Sequence, residues 1–272
     1  MKIKVGNIDI NSILTSGACF RCIKEEDGSF TNILNDRVIN LYQKGEYIFV
    51  KSSNYTNLDN IIKEYFDLNR NYDYINSKII EYYPKFKTIV NKCKNYRILN
   101  QDSFEMCISY IISQNNNVKR ISKSVNEIAK DYGTKVIFNN KEYYLFPTYE
   151  QLKNIKSDEL KKYGVGFRDK YIWDFLSKYP NLKDLNKLST IDAINELLKV
   201  KGIGMKVASC ILLFGYKRLD VFPIDTWVKQ YISNNYKIKN TPKEIEKFVK
   251  TNCKEYSGLV IQYMYHSERN LK

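Results

Sequence analysis

Residues 197–231, LLKVKGIGMKVASCILLFGYKRLDVFPIDTWVKQY, constrain the fold more than any other part of the chain. Apolar residues recur at helical spacing on both sides of Gly202-Ile203-Gly204, which predicts two helices joined by a tight glycine hairpin. Pro223 then interrupts the second helical pattern, and Asp225 is placed to cap a third helix. The sequence therefore predicts a helix, a hairpin and a helix, followed by a capped helix.

Lys206 lies in the first turn of the second predicted helix. Backbone N–H groups at Gly202 and Gly204 can approach an anion closely, so the hairpin is a candidate phosphate site. The positive end of the helix dipole disfavours an ammonium ion at Lys206 and favours the amine, which can form a Schiff base with a sugar carbon. Asp225, nineteen residues on, could stabilise positive charge on the sugar or help to activate the amine. Taken singly, the lysine could be a surface charge and the aspartate a plain helix cap.

The composition indicates a polyanionic partner and an intracellular protein. The net charge is +14 in 272 residues, although a codon bias toward lysine and asparagine would give part of this charge. The N-terminus has no apolar run typical of a signal peptide, and no stretch is apolar enough to predict a membrane span. Cys19 and Cys22 form a single C-x-x-C, which argues against a zinc site. A reduced, cytoplasmic protein is the simplest interpretation.

The pattern along the chain predicts an α+β fold in two parts. Residues 1–56 read as strands with a hairpin at Asp27-Gly28, and amphipathic helices follow at 58–66 and 74–83. From about residue 94 the pattern is helical throughout. Further helices are predicted at 170–179, 191–200, 226–234, 242–252 and 258–270. We therefore expect a twisted antiparallel sheet domain over residues 1–95, with a TBP-like sheet, and an all-α domain over residues 96–272.

Three further motifs carry polar or aromatic residues in predicted turns. They are the segments SGACFR at 16–21, NNNVKR at 115–120 and GVGFR at 164–168. An exposed aromatic residue beside an arginine suits a wedge between base steps, and asparagine amides suit base edges. Each motif alone could equally be a solvated turn or a packed core residue.

Taken together, these motifs and the GIGMKVASC…PID core resemble the 8-oxoguanine DNA glycosylase/AP lyases of the helix-hairpin-helix (HhH-GPD) superfamily. The resemblance covers nearly the whole chain. It implies that Lys206 and Asp225 are the catalytic pair. It also implies that the Gly17 carbonyl accepts a hydrogen bond from the N7–H of the oxidised base, while Cys210 and Tyr265 contact its two faces.

The same resemblance implies roles on the DNA around the base. Asn115 would fill the space left by the extruded base, and Phe167 would wedge into the base stack. Arg120 and Arg168 would read the unpaired cytosine. Gly202 and Gly204 would bring the hairpin backbone to a DNA phosphate.

One position departs from the family pattern. Where the family places a glutamine for the Watson–Crick edge of the base, ungapped counting from Gly258 gives Ile261, with Gln262 one residue later. One residue turns a helical side chain by about 100°. Either Gln262 performs this task, or recognition of the base is weaker than in the family.

The resemblance implies a bifunctional enzyme that removes 8-oxoguanine opposite cytosine from duplex DNA and then cleaves the strand. We expect no cofactor, no catalytic metal and a monomer. Two alternatives stay open at this point. One is a glycosylase for oxidised pyrimidines or other damaged bases, and the other is a non-catalytic hairpin protein that only binds DNA.

Overall fold

The computed structural model describes residues 1–182 and 184–269. The N-terminal part combines a sheet with helices. Its elements are β1 (Lys2–Lys4), α1 (Ile10–Leu14), β2 (Cys22–Lys24), β3 (Phe30–Ile33), β4 (Val38–Lys44), β5 (Tyr47–Ser52), α2 (Leu58–Tyr65), α3 (Tyr72–Tyr82) and α4 (Lys87–Cys93). The predicted antiparallel sheet followed by a helical region is confirmed.

The second part is mainly helical. Its elements are α5 (Ser103–Ile112), α6 (Val118–Tyr132), β6 (Lys135–Phe138), β7 (Lys141–Tyr144), α7 (Tyr149–Leu152), α8 (Ser157–Leu160), α9 (Asp169–Leu182), α10 (Thr190–Leu198), α11 (Met205–Gly215), α12 (Thr226–Tyr236), α13 (Pro242–Asn252) and α14 (Ser257–Arg269). The last predicted helix extends one residue further, to Asn270, which lies outside the described residues. In the described part of the chain, no helix combines the length and apolarity that crossing a bilayer requires.

The sheet has five antiparallel strands in the order β1-β5-β4-β3-β2. The predicted turn at Asp27-Gly28 connects β2 to β3. Alternate residues of β4 and β5 face the core, so one face of the sheet is buried. The fully buried residues of these two strands include Ile39, Leu41 and Ile48.

The prediction of strands over residues 1–56 is wrong at α1. Asp9 caps this helix by accepting a hydrogen bond from the Ser12 backbone N–H at 3.0 Å. The helix is only five residues long, too short for a helical period to stand out. Ile8 and Ile10 alternate with polar residues, which imitates a strand.

The prediction of an all-α second domain is wrong at β6 and β7, which form a two-stranded hairpin. Asn139 and Asn140 form its turn with positive φ values of 49° and 58°, the conformation that a tight two-residue hairpin requires. Phe138 and Tyr143 of this hairpin pack with Ile33 at the end of β3 in a small separate core. This long-range contact stabilises strands that a search for helical periods does not detect.

Helices from the two ends of the chain pack against each other. The Tyr263 hydroxyl on α14 donates to Asn76 Oδ1 on α3 at 2.9 Å, and the Cys93 thiol at the end of α4 donates to the Tyr263 carbonyl. Phe86 and Phe248 add an edge-to-face aromatic contact. The core is therefore continuous between the two parts, and the division between residues 95 and 96 stays a prediction.

Candidate active site

The predicted glycine hairpin joins α10 to α11, and the predicted third helix begins as α12 at Thr226. Gly202 has a φ of +80°, and a Cβ there would lie 2.2 Å from the Tyr171 ring on α9. Gly204 is the N-cap of α11 and has no such constraint, because a Cβ there would meet no atom within 4 Å. Gly202 is thus required by the fold, while Gly204 leaves the N-terminus of α11 open to an outside group.

The hairpin is fastened to α9 by Asp174. Its Oδ2 accepts hydrogen bonds from the Lys201 backbone N–H and from Lys178 Nζ, both at 2.7 Å. Lys178 Nζ also donates to the Lys199 carbonyl at 2.7 Å. The carboxylate therefore fixes the position of the hairpin backbone relative to the rest of the helical region.

A cavity of about 140 Å³ opens beside the start of α11. It brings together residues from the N-terminal turn, α11, the loop before α12, and α14. All six residues predicted as catalytic or base-binding line it, namely Gly17, Lys206, Cys210, Asp225, Gln262 and Tyr265. Lys206 and Cys210 are one helical turn apart and face the cavity together.

Electrostatics within the cavity keep the thiol neutral. Burial raises the pKa of Cys210 to about 11, with the Lys206 charge opposing this rise and the Asp225 charge adding to it. Asp225 Oδ1 caps α12 by accepting from the Val228 backbone N–H at 2.9 Å. The cavity thus holds an amine, a carboxylate fixed by its cap, and an uncharged, polarisable thiol.

Gly17 belongs to a turn that is held in place by a hydrogen bond from a distant part of the chain. Its φ is +87°, a value that favours glycine, and the Ser16 hydroxyl accepts from the Ala18 backbone N–H at 3.3 Å. Gln101 Nε2 donates to the Ala18 carbonyl at 3.0 Å, while the Gln101 backbone N–H donates to the Phe214 carbonyl at 2.9 Å. Gln101 therefore ties the turn from the N-terminal part to the end of α11.

Ile261 and Gln262, the two positions that could correspond to the family glutamine, both line the cavity. Ile261 is 1% exposed and Gln262 is half-buried, so the aliphatic side chain packs deeper than the amide. Further along α14, Tyr265 makes an edge-to-face contact with Trp227 at 5.3 Å between ring centroids. The geometry therefore leaves Gln262 the available amide on this helix for a base in the cavity.

Tyr110 and Phe214 are cavity residues that the sequence analysis missed. Their rings are stacked, with centroids 5.7 Å apart and planes 12° apart. Phe214 lies four residues after Cys210 and eight after Lys206, so helical spacing places all three on one face. Tyr110 comes from α5, and no local pattern in the sequence connects it to this site.

All six residues predicted to contact DNA lie outside this cavity: the hairpin glycines Gly202 and Gly204, and Asn115, Arg120, Phe167 and Arg168. Asn115 and Arg120 are exposed, and Asn115 has a φ of +46° in the loop before α6. Phe167 is 56% exposed and meets the Tyr171 ring edge-to-face at 5.8 Å. Phe167 is thus presented on the surface beside the glycine hairpin at 202–204, as a wedge would require.

Arg168 differs from this group because its guanidinium is turned into the protein. Its Nε donates to the Gln114 carbonyl at 2.9 Å, Nη2 to the Asn115 carbonyl at 3.1 Å, and Nη1 to the Val165 carbonyl at 3.0 Å. Burial lowers the pKa of Arg168, and the charge of Arg120 lowers it further. Arg168 therefore shapes the loop that carries Asn115, and a role toward the opposite base stays a prediction.

Comparisons with known families agree with this architecture. Residues 1–107 match the 8-oxoguanine DNA glycosylase N-terminal domain, and residues 108–255 match the HhH-GPD superfamily of base excision DNA repair proteins. A probable N-glycosylase/DNA lyase from Methanothermobacter thermautotrophicus is 27% identical over 75% of this chain and 71% of its own length.

Two solved structures resemble the chain over almost its full length. MBOgg1 in complex with a low-affinity DNA ligand is 33% identical, with 99% of this chain and 95% of that chain covered and a TM-score of 0.92. The Clostridium acetobutylicum 8-oxoguanine glycosylase/lyase, bound to duplex DNA with cytosine opposite 8-oxoguanine, is 32% identical, with 98% and 93% covered and a TM-score of 0.90. The chain belongs to the 8-oxoguanine DNA glycosylase/AP lyase family of the HhH-GPD superfamily.

Proposed function

We propose that this protein removes 8-oxoguanine paired with cytosine from duplex DNA and then cleaves the strand 3′ to the lesion. The observation that carries the proposal is the meeting of Lys206, Asp225 and the Gly17 turn in one cavity. The Clostridium acetobutylicum relative binds DNA of this composition and is named a glycosylase/lyase. The positive net charge of +14 suits a DNA partner.

The base must leave the stack, because the sugar C1′ is not accessible within a duplex. In the cavity, the Gly17 carbonyl would accept the N7–H that guanine lacks. The neutral Cys210 thiol and the Tyr265 ring would contact the two faces of the base, and the Gln262 amide would meet its Watson–Crick edge. These contacts favour 8-oxoguanine chiefly through a single hydrogen bond at N7.

Lys206 is the proposed nucleophile. Its amine attacks C1′, the bond from C1′ to the base breaks, and the base leaves with the bonding electrons. Asp225 stabilises the positive charge that develops on the sugar. Ring opening gives a Schiff base at Lys206, loss of a proton from C2′ expels the 3′ phosphate, and water finally hydrolyses the imine.

The remaining predicted residues would hold the DNA. The open N-terminus of α11 at Gly204 would bind a phosphate, with Gly202 keeping the hairpin tight. Asn115 would fill the space left by the extruded base, and Phe167 would wedge into the base stack. Arg120 would contact the cytosine of the opposite strand. We propose that the enzyme acts as a monomer on chromosomal DNA in the cytoplasm, at the nucleoid.

Borohydride trapping tests the proposal, because reduction converts a Schiff base into a stable covalent adduct. Duplexes with one central 8-oxoguanine opposite cytosine or adenine are compared with a duplex carrying an oxidised pyrimidine. We expect an adduct on the 8-oxoguanine:cytosine duplex and none with Lys206→Gln. An adduct on the oxidised-pyrimidine duplex alone would support the Schiff-base mechanism but reject 8-oxoguanine as the substrate.

Lys201→Gln is the matched control. Lys201 is exposed on the same hairpin, so its replacement removes the same charge five residues away without touching the cavity. The adduct should persist in this variant. DNA binding without an adduct on any duplex would instead identify a binding protein and reject the lyase.

A further inference from the structure

A second cavity, of about 480 Å³, lies next to the turn that carries Gly17. It is separate from the 140 Å³ cavity that Lys206 lines, which we call the base cavity after its proposed occupant. Cys19 and Arg21 of the segment after the turn line it, together with Tyr65 from α2 and Glu105 from α5. The proposed glycosylase chemistry uses none of these side chains. The Cys19 thiol is therefore accessible to a small solute by a route that leaves the base cavity alone.

The Cys19 thiol is surrounded by polar groups. It lies 3.5 Å from the Tyr65 hydroxyl and 3.8 Å from Asn32 Oδ1. The Cys22 thiol and the Arg21 backbone lie close enough to influence the ionisation of this thiol. Cys22 is the direct cross-strand partner of Asn32 between β2 and β3, so the register of the sheet brings these groups together.

Two buried donors in this part of the protein lack hydrogen-bond partners. Within residues 1–182 and 184–269, Asn32 Nδ2 and Arg21 Nη1 are buried without a hydrogen-bond partner. Arg21 Nη1 is 3.8 Å from Glu105 Oε2, too far for a hydrogen bond. Exchanging the Asn32 amide oxygen and nitrogen would direct Nδ2 at the sulfur. The Asn32 donor then becomes satisfied when the sulfur carries negative charge.

These contacts set Cys19 apart from the other cysteines. The hydrogen bond from Cys22 lowers the pKa of Cys19 to about 7 against the opposing effect of burial, with Tyr65 and Arg21 adding to the decrease. The same hydrogen bond raises the pKa of Cys22, and burial raises that of Cys93 to about 12. The opposite shifts make Cys19 the more acidic thiol of the pair and Cys22 the less acidic one.

We propose that Cys19 and Cys22 are an oxidisable dithiol, which hydrogen peroxide entering the second cavity converts into an intramolecular disulfide. The C-x-x-C spacing and the position of both cysteines against Asn32 place the second sulfur within reach of the first. The disulfide would close a small ring directly after the Gly17 turn. It is a modification site distinct from the Lys206 chemistry.

The reaction balances with one peroxide for each disulfide. The Cys19 thiolate attacks a peroxide oxygen, a sulfur–oxygen bond forms, and the oxygen–oxygen bond breaks to release hydroxide, which takes a proton from solvent. The Cys22 thiol then loses its proton and attacks the Cys19 sulfenic acid. The sulfur–sulfur bond forms and the oxygen leaves as water, so two thiols are oxidised while the peroxide is reduced to two waters.

Peptide mapping after peroxide treatment tests the proposal on the full chain without DNA, so its outcome is independent of the glycosylase activity. Reduced protein is treated with hydrogen peroxide at pH 7, remaining thiols are blocked with N-ethylmaleimide, and the protein is digested with trypsin. Trypsin cleaves after Arg21, between the two cysteines. We expect peptide 5–21 joined to the tripeptide 22–24, and release of both by a reductant.

Two further measurements make the test decisive. In Cys22→Ser, oxidation should stop at a Cys19 sulfenic acid that dimedone traps, whereas Cys93→Ser should still form the joined peptides. Without peroxide, iodoacetamide should label Cys19 at least about 10-fold faster than Cys93 at pH 7. Joined peptides and fast labelling support the proposal. Cys19 that remains free after peroxide treatment, or that labels no faster than Cys93, would overturn it.

Discussion

Two glycine hairpins in the helical region share one pattern and differ in what they do. Residues 164–168 (GVGFR) and 202–206 (GIGMK) each place an aliphatic residue between two glycines and a cation two residues after the second glycine. In both hairpins the aliphatic residue is buried. The apolar residue before the cation is exposed in both, 56% at Phe167 and 53% at Met205. Up to this point the two hairpins are equivalent.

The two hairpins differ at their second glycine. Gly166 has a φ of +58° and leads into a short 3-10 turn, whereas Gly204 has a φ of −100° and begins α11. As a result Arg168 turns back onto backbone carbonyls, while Lys206 enters the base cavity. The same pattern therefore produces a structural clamp in one hairpin and a candidate nucleophile in the other. The direction of the cation, not its presence, decides its role.

The largest effect on catalysis is expected from Lys206→Arg, which keeps the charge and removes the amine that we propose as the nucleophile. A guanidinium is always protonated and cannot form the imine. Base excision in single-turnover assays should fall by at least about 10³-fold and the borohydride adduct should vanish. DNA affinity, measured by fluorescence anisotropy, should stay within about 3-fold because the charge remains. An adduct at another lysine would remove the chemical distinction between the hairpins.

A large loss of stability is expected from Gly202→Ala. The new Cβ would overlap the Tyr171 ring at 2.2 Å and adopt a φ of +80°, so overpacking and backbone strain add. We expect the free energy of unfolding in urea to fall by about 3 kcal/mol or more. Tyr171→Ala in the same chain should restore part of this loss, because the overlap is removed.

Gly166→Ala is the matched control in the other hairpin. Its φ of +58° is also positive, but the nearest atom to a new Cβ is Arg168 Nη1 at 3.7 Å, an ordinary contact. Only the backbone strain remains, and we expect a loss of about 1 kcal/mol. Equal losses in the two variants would show that the Tyr171 contact is unimportant.

An intermediate loss of stability is expected from Arg168→Met, and a much smaller one from Arg120→Met. Arg168→Met leaves buried carbonyls without donors and should cost about 2–3 kcal/mol in urea unfolding. Arg120→Met removes an exposed side chain and should change stability by no more than about 0.5 kcal/mol. Arg120→Met should instead reduce the preference for cytosine opposite the lesion. If Arg168→Met altered that preference with unchanged stability, Arg168 would be a reader of the base and not a clamp.

Local patterns in the sequence sufficed for the hairpin at 202–204, the cap at Asp225 and the alignment of Lys206 with Cys210, because all three depend on neighbours within a few turns. They did not suffice for Tyr110, which reaches the cavity from α5 through a distant packing contact. The direction of Arg168 was also beyond the sequence. It depends on the φ of Gly166, and glycine permits either sign without any mark in the sequence.

The smallest effects are expected at Phe167 and Met205, the exposed apolar residues that occupy the same position in the two hairpins. Phe167→Ala and Met205→Ala each remove an exposed side chain, so both should leave the free energy of unfolding within about 0.5 kcal/mol. Phe167 packs on Tyr171 and can enter a base step as a rigid ring, so its loss should weaken binding to an 8-oxoguanine duplex by about 1–2 kcal/mol. Met205 follows the hairpin backbone that we propose binds a phosphate, and its loss should weaken binding less. Anisotropy titrations at one fixed salt concentration measure both changes. If binding weakened more in Met205→Ala than in Phe167→Ala, the wedge would belong to the hairpin that carries Lys206. The clamp at Arg168 would then serve only to shape its own loop.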